Sequence, residues 1–304
     1  AAVGPVHFGA GPADMYGADC GFADCSRQSC LQPGKVGDDA FGHFLISTLQ
    51  REGVETRGTR VDEAARTTMA IIAMPNEHHA EYVFYRNPGA DMMLRADELD
   101  EPLLRQTRCL HIGSISLIAE PSRSATLKAV QVAREAGALI SIDVNYRPSL
   151  WPQPETAAAT IHAVLPLAHV VKINEDELIL LTGSDDPVAG SEVILAAGPP
   201  VCIVTQGARG SYFRVGGEEA GTAFVPAFAV ETVDAVGCGD AFMAGVLTRL
   251  VTGDSGAWLD RLTWLYLRQS LRYANAVGAL TAQAQGVIPA LPTSEQVEAF
   301  LARY

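Results

Sequence analysis

The chain has 304 residues, 48% hydrophobic and 19% charged, with a formal net charge of −13. That length and apolar content bury a large core and suit one α/β domain. The acidic balance argues against a nucleic-acid surface, which needs clustered Lys and Arg, and no apolar run reaches the roughly 18 residues that span a bilayer.

Residues 1–10 lack a basic start followed by an apolar core, so no secretory leader is expected and the reading is cytoplasmic. A short strand is expected at 6–8. Cys20, Cys25 and Cys30 follow at equal spacing, with His43 beyond them. Zinc sites use tighter spacings, so free thiols in a reducing compartment are the expectation. A helix is predicted over 39–52. Two strand-like runs at 67–74 and 81–85, joined through Pro75, Asn76, His78 and His79, read as an antiparallel hairpin with the histidines as solvated turn residues. Strands at 109–112, 139–144, 169–173 and 201–205 then alternate with helices at 122–136, 156–165 and 176–181. This alternation predicts a mostly parallel sheet covered by helices on both faces, with ligands at the carboxyl ends of the strands. Helix resumes from 258 to about 283, and a last amphipathic helix covers 294–304.

Residues 231–247, ETVDAVGCGDAFMAGVL, carry the densest chemistry. Gly237 and Gly239 flank Cys238 and let the backbone aim several N–H groups at one point. Asp240 then opens an apolar helical run through Ala241, Phe242, Ala244, Val246 and Leu247. The first N–H groups of a helix lack intrahelical partners and carry partial positive charge, so this end can hold an anion. A carboxylate there would repel phosphate unless it had chemical work, and the natural work is taking a proton from an attacking hydroxyl. An anion hole at Gly237, Cys238 and Gly239 beside the general base Asp240 points to phosphoryl transfer to an alcohol. Loops of this composition also occur as ordinary strand-to-helix turns, so these four residues alone leave both readings open. A thiol at a helix N-terminus favours its thiolate, which marks Cys238 as a reactive candidate.

The longer string DAVGCGDAFMAG resembles the D-T-x-G-A-G-D-x-F-x-x-G signature of the ribokinase-like (PfkB) carbohydrate kinases. The likeness continues in family order through KVGDDAFG at Lys35, FYRNPGADMML at Phe84, HIGSIS at His111, DVNYRPSLWP at Asp143, VKINEDE at Val171, VTQGARG at Val204 and YANAVGALTAQAQGVIPALPT at Tyr273. Within the family these strings are most similar to the fructokinase branch. The resemblance implies a three-layer αβα sandwich with a mostly parallel central sheet, one domain over 1–304, and a small antiparallel β lid built from parts of 16–32 and 56–86. It implies ATP-dependent phosphorylation of the C6 hydroxyl of fructose, with Mg2+ as cofactor, and pairing of lids into a homodimer.

Site residues carried over by the resemblance fall into three sets. Asp14, Arg86, Asn145 and Arg147 match positions facing the sugar or the transferring phosphoryl group. Asn174 and Glu177 match an N-x-x-E pair that orders water and Mg2+, which is also a helix N-terminus with acidic residues complementing the dipole. Thr205, Gly207 and Gly210 match a loop along the nucleotide, and Asn275 a position near adenine, where its amide could equally cap a buried turn. The family's monovalent cation site, for an ion such as K+, maps to Asp234 with the backbone oxygens of Val236, Thr281, Ala284 and Gly286. Asp143 and Trp151 are read as structural.

Departures qualify the resemblance. Ala235 stands where Thr is usual and Cys238 where Ala is usual, changes that backbone donors tolerate. Of the first family signature only Gly34 remains, leaving about one helix and one strand unaccounted for on typical element lengths. An internal strand is hard to lose without exposing its neighbours' backbone groups, so omission of that stretch is expected over deletion. A 2-keto-3-deoxygluconate kinase, with Arg86 and Arg147 gripping a carboxylate, and a regulator that kept the fold but lost catalysis are the alternatives.

Overall fold

A computed structural model describes residues 34–76, 79–217, 220–252 and 258–304. The expected strand at 6–8, the lid portion at 16–32, Asp14, Cys20, Cys25, Cys30 and His78 lie outside the described residues, as does the stretch before Gly34.

Among the described residues the central sheet has six strands in the order β10-β9-β8-β7-β6-β5. β5 (Cys109–Gly113), β6 (Leu139–Asp143), β7 (Val170–Asn174) and β8 (Val201–Thr205) run parallel. Alternate residues feed two cores, as strands covered on both faces must. Ile140, Ile142, Val171 and Ile173 pack against Val130 of α3 (Ser122–Glu135), Ile161 of α4 (Pro154–Val164), Leu178 of α5 (Glu175–Thr182) and Ile194 of α6 (Pro187–Ala196). On the opposite face Leu139, Val170, Val201 and Ile203 meet Phe242, Met243 and Val246 of α7 (Cys238–Val251) and Leu267 and Leu271 of α8 (Trp264–Thr281). The three layers therefore match the expected αβα sandwich. A last helix, α9 (Ser294–Leu301), closes over α7 and α8 through Val297 and Phe300.

The sheet gains two antiparallel strands that the sequence reading did not anticipate, β9 (Gly210–Val215) and β10 (Gly221–Pro226). Helix α6 was also not expected. The predicted hairpin is present as β3 (Met69–Asn76), shifted two residues along the chain from the expected run, and β4 (His79–Tyr85), extended at its start, with Pro75, Asn76 and His79 inside the strands. Its register shifts between Ala73 and Asn76, where Pro75 has no N–H to donate. A second small sheet pairs β1 (Gly34–Gly37) with β2 (Thr59–Asp62) in parallel, preceding and following helix α1 (Ala40–Arg51). Short helix α2 (Glu101–Leu104) leads into β5. Among the described residues no helix is long and apolar enough to cross a membrane.

Candidate active site

Parallel pairing sets the carboxyl ends of the central strands in a row. Gly113 lies beside Asp143, Asp143 beside Lys172, and Asn174 beside Thr205. Beyond that edge α7 begins, with Gly237 as its N-cap at φ 79°. A side chain at Gly237 would need left-handed backbone and would put its Cβ 2.5 Å from Val287, so only glycine makes this turn cheaply. Asp234 Oδ1 accepts the Val236 N–H at 2.9 Å and holds the loop before the turn. The leading N–H groups of a helix lack intrahelical acceptors, and here the first of them, on Cys238, donates to the Ala235 carbonyl at 3.4 Å.

Asp240 sits in the first turn of α7 and is half-buried. The apolar side of the same helix, Ala241 to Leu247, is buried. Asp240 thus keeps partial exposure at the helix start, while the positions that follow it are buried.

Cys238 corrects the expectation of a reactive thiolate. Burial, followed by the negative charges of Asp234 and Asp240, pushes its thiol up to about 11. Those costs outweigh the helix N-terminus.

Asn174 and Glu177 form a reciprocal cap on α5: Asn174 Oδ1 accepts the Glu177 N–H at 2.9 Å and Glu177 Oε2 accepts the Asn174 N–H at 2.8 Å. Glu177 Oε1 also accepts the Tyr146 N–H at 2.7 Å. One buried carboxylate therefore ties the turn after β6 to the turn after β7. Burial, reinforced by the Asp143 charge, raises its pKa. Asn145, inside the tied turn, is the one non-glycine residue at positive φ, 44°, among the described residues. Arg147 follows it on the same edge.

Lys172 went unnoticed in the sequence. Its Nζ lies 2.7 Å from Asp143 Oδ2, with both side chains buried. Burial alone would lower the lysine's pKa, yet Asp143, Glu177 and Asp240 outweigh it and hold the ammonium above its ordinary value. Asp143 is accordingly part of a charged cluster. Its Oδ1 is buried without a hydrogen-bond partner among the described residues, an acceptor that fits a water held by Mg2+.

On the nucleotide side, Thr205 Oγ1 donates to the Ile173 carbonyl at 3.3 Å. Gly207 and Gly210 bracket a 3-10 turn at φ 53° and 123°, and Arg209 in that turn pairs with Glu175 at the start of α5.

Two further carried-over residues are engaged within the fold. Asn275 Nδ2 donates to the carbonyls of Val225 at 3.0 Å and Pro226 at 3.2 Å, while its Oδ1 accepts from Ser211. The amide holds β10 and β9 on α8, the buried-cap reading that the sequence left open beside the adenine position. Arg86 spends Nε and Nη2 on Asp91, at 2.8 and 2.6 Å, and Nη2 also reaches the Ile115 carbonyl. Asp91 further accepts from Thr68. This buried clamp joins the hairpin root to the turn after β5 and engages two of the three guanidinium nitrogens within the protein.

The cation-site segments converge. Ala282 O accepts from the N–H groups of Val233 and Asp234, and Gly286 N–H donates to Asp234 Oδ2 at 3.1 Å. Thr281 is buried beside them, and its carbonyl accepts the Ala284 N–H. Asp234's carboxylate is thus engaged by two backbone N–H groups. Among the described residues no three His, Cys, Asp or Glu side chains cluster as metal ligands, and His43 pairs with Asp38 on the surface.

Comparison with known proteins agrees with this fold. The pfkB family of carbohydrate kinases matches residues 32–294. Probable fructokinase-4 of Arabidopsis thaliana is 42% identical over 271 residues, covering 88% of this chain and 80% of the plant protein. Fructokinase-1 of Zea mays is 40% identical over 267 residues, covering 87% and 80%. The crystal structure of a fructokinase with bound ATP from Xylella fastidiosa superposes with a TM-score of 0.85 at 29% identity, covering 94% of this chain and 89% of that one. The fructokinase of Vibrio cholerae O395, in its fructose, ADP and calcium ion bound form, gives 0.82 at 30% identity, covering 93% and 89%.

Proposed function

The chain belongs to the pfkB family of carbohydrate kinases, an ATP-dependent sugar kinase, and from that premise we propose that its acceptor is the C6 hydroxyl of fructose and its general base Asp240. The half-buried carboxylate in the first turn of α7, at the end of the helix where the leading N–H groups lie, carries the proposal.

Asp240 takes the hydroxyl proton as the C6 oxygen attacks the γ-phosphorus. The bond to the β-phosphate oxygen breaks, giving fructose 6-phosphate and ADP. The N–H groups of Gly237, Cys238, Gly239 and Asp240 hold the charge that develops on the transferring group. When bound, magnesium neutralises charge on the β- and γ-phosphates. The orphaned Asp143 oxygen and the Asn174–Glu177 cap would face its waters. Asp14, Asn145 and Arg147 orient the sugar, while Thr205, Gly207 and Gly210 lie along the nucleotide. Carbonyls of Val236, Thr281, Ala284 and Gly286 would hold a monovalent cation such as K+. The β3–β4 hairpin serves as the lid of a single domain, and exposed Val83 and Tyr85 on β4 support lid pairing in a homodimer.

Fructose is favoured over 2-keto-3-deoxygluconate because the Arg86 fork is already engaged by Asp91. ADP release would be followed with fructose, 2-keto-3-deoxygluconate, ribose and no sugar, and the product's phosphate located by NMR. The expected result is a kcat/KM for fructose at least about tenfold above the other sugars, with phosphate on C6. Preference for the keto acid would overturn the assignment, and ATP binding without turnover of any sugar would favour the regulator.

A further inference from the structure

Lys172 is placed oddly for a core residue. It occupies β7 between Val171 and Ile173, both fully buried aliphatics, where a hydrophobic side chain would pack without desolvating a charge. Its ammonium also stands near the N-terminus of α7. A Cβ built on Gly239 would lie 3.2 Å from Nζ, so the ammonium abuts the sheet side of the anion loop. A cation there is opposed by the helix dipole. Burial and dipole both disfavour this charge, and the contact with Asp143 at 2.7 Å, with the nearby charges of Glu177 and Asp240, offsets them. Retaining a costly pair at this spot makes sense if the field it casts is used.

We infer that Lys172 is a positioning residue for phosphoryl transfer, whose ammonium, pinned by Asp143 against the underside of Gly239, supplies positive potential to the anion loop from the sheet side. The inference rests on the proposal that Asp240 and this loop form the transfer site, and is independent of which sugar is phosphorylated. The transferring group spreads charge over its equatorial oxygens in the transition state. A fixed cation behind the loop amides stabilises that state more than the ground state. Gly239 is part of the same arrangement, because any side chain there would press on the ammonium.

Lys172→Met alone would strand the Asp143 charge and destabilise the fold, so Lys172 is tested in a background without that charge. Asp143→Asn and the double variant Asp143→Asn/Lys172→Met are compared by thermal melting and by calorimetric binding of ADP, with and without aluminium fluoride. The sugar that the wild type phosphorylates best is present throughout. ADP–aluminium fluoride mimics the transferring phosphoryl group, and such analogues gain affinity only where the transition state is favoured.

The expected result is that the two variants bind ADP within about threefold of each other. The extra tightening produced by aluminium fluoride falls by at least about tenfold when Lys172 is also lost, and kcat falls with it while the sugar KM holds. Equal tightening in both variants would make Lys172 a mere counter-ion and overturn the inference. Loss of all tightening in Asp143→Asn alone would overturn it too, by assigning the effect to Asp143. A wild type that prefers a sugar other than fructose would refute the fructose assignment and leave this comparison intact.

Discussion

Asn275 Nδ2 donates to the Val225 carbonyl at 3.0 Å, across 50 residues of chain, and thereby fixes β10 on α8. The same amide reaches Pro226, and Ser211 donates to its carbonyl oxygen. Truncating it strands buried acceptors. Asn275→Ala should lower unfolding stability by about 2–3 kcal/mol in urea titrations, while the preference for ATP over GTP stays unchanged. A variant of wild-type stability that no longer distinguished the purines would support the adenine role.

Asp240 stands in the first turn of α7 with the Lys172 ammonium in electrostatic reach. Asp240→Asn keeps the size and the loop but removes the proton acceptor. Turnover should fall by at least about 10³-fold, while calorimetric ATP affinity stays within about threefold of wild type. Turnover near the wild-type rate would remove Asp240 from the base role.

Legibility in the sequence followed burial and distance. The runs LISID, VVKIN and VCIVT read as strands because residues buried on both faces leave a continuous apolar signature. GSYFRV and GTAFVP did not: both open on glycine, GSYFRV sets Ser211 and Arg214 among its buried positions, and GTAFVP, on the sheet edge, alternates half-buried with exposed positions up to Val225. PVAGSEVILA hid a helix because its apolar residues cover most of its surface and Gly190 interrupts it. In the site, Gly237 and Asp240 were visible because their chemistry is local to one turn. Lys172 was not: its partner Asp143 is 29 residues away and meets it only through parallel pairing of β6 and β7. The same reason hid the internal partners of Arg86, whose Ile115 contact spans 29 residues, and of Asn275. A family position gives a residue's address but not which of its polar atoms are already spent.

Cys238 provides a chemical check on the electrostatics of the anion loop. With its thiol raised to about 11 by burial and by Asp234 and Asp240, it stays protonated through neutral pH. Iodoacetamide should alkylate the Cys238 peptide roughly two orders of magnitude more slowly than a free cysteine near pH 7. The rate, followed by mass spectrometry of the digested native protein, should climb until the pH approaches that value. Rapid labelling at neutral pH would mean that the helix N-terminus dominates after all.

Acid should weaken the small parallel sheet through Asp62. This carboxylate accepts the N–H groups of Ala65 at 2.8 Å and Ala64 at 2.9 Å and the ammonium of buried Lys35 at 2.8 Å. The Ala65 N–H first, then Lys35, hold its pKa down at about 2. Lys35 also bonds Glu98, so the pair fastens β1 and β2 to the segment that precedes α2. A carboxyl held below its unfolded value of about 3.9 stabilises the fold at every pH above that value and loses the contribution as pH falls through its folded value. Asp62→Asn should therefore melt below the wild type at about pH 6, and the gap should narrow steadily between about pH 4 and pH 2. Calorimetric melts across that range give the comparison. A gap of constant size down to about pH 2 would show that Asp62 acts through shape alone, because protonating the wild-type carboxyl would then have cost nothing.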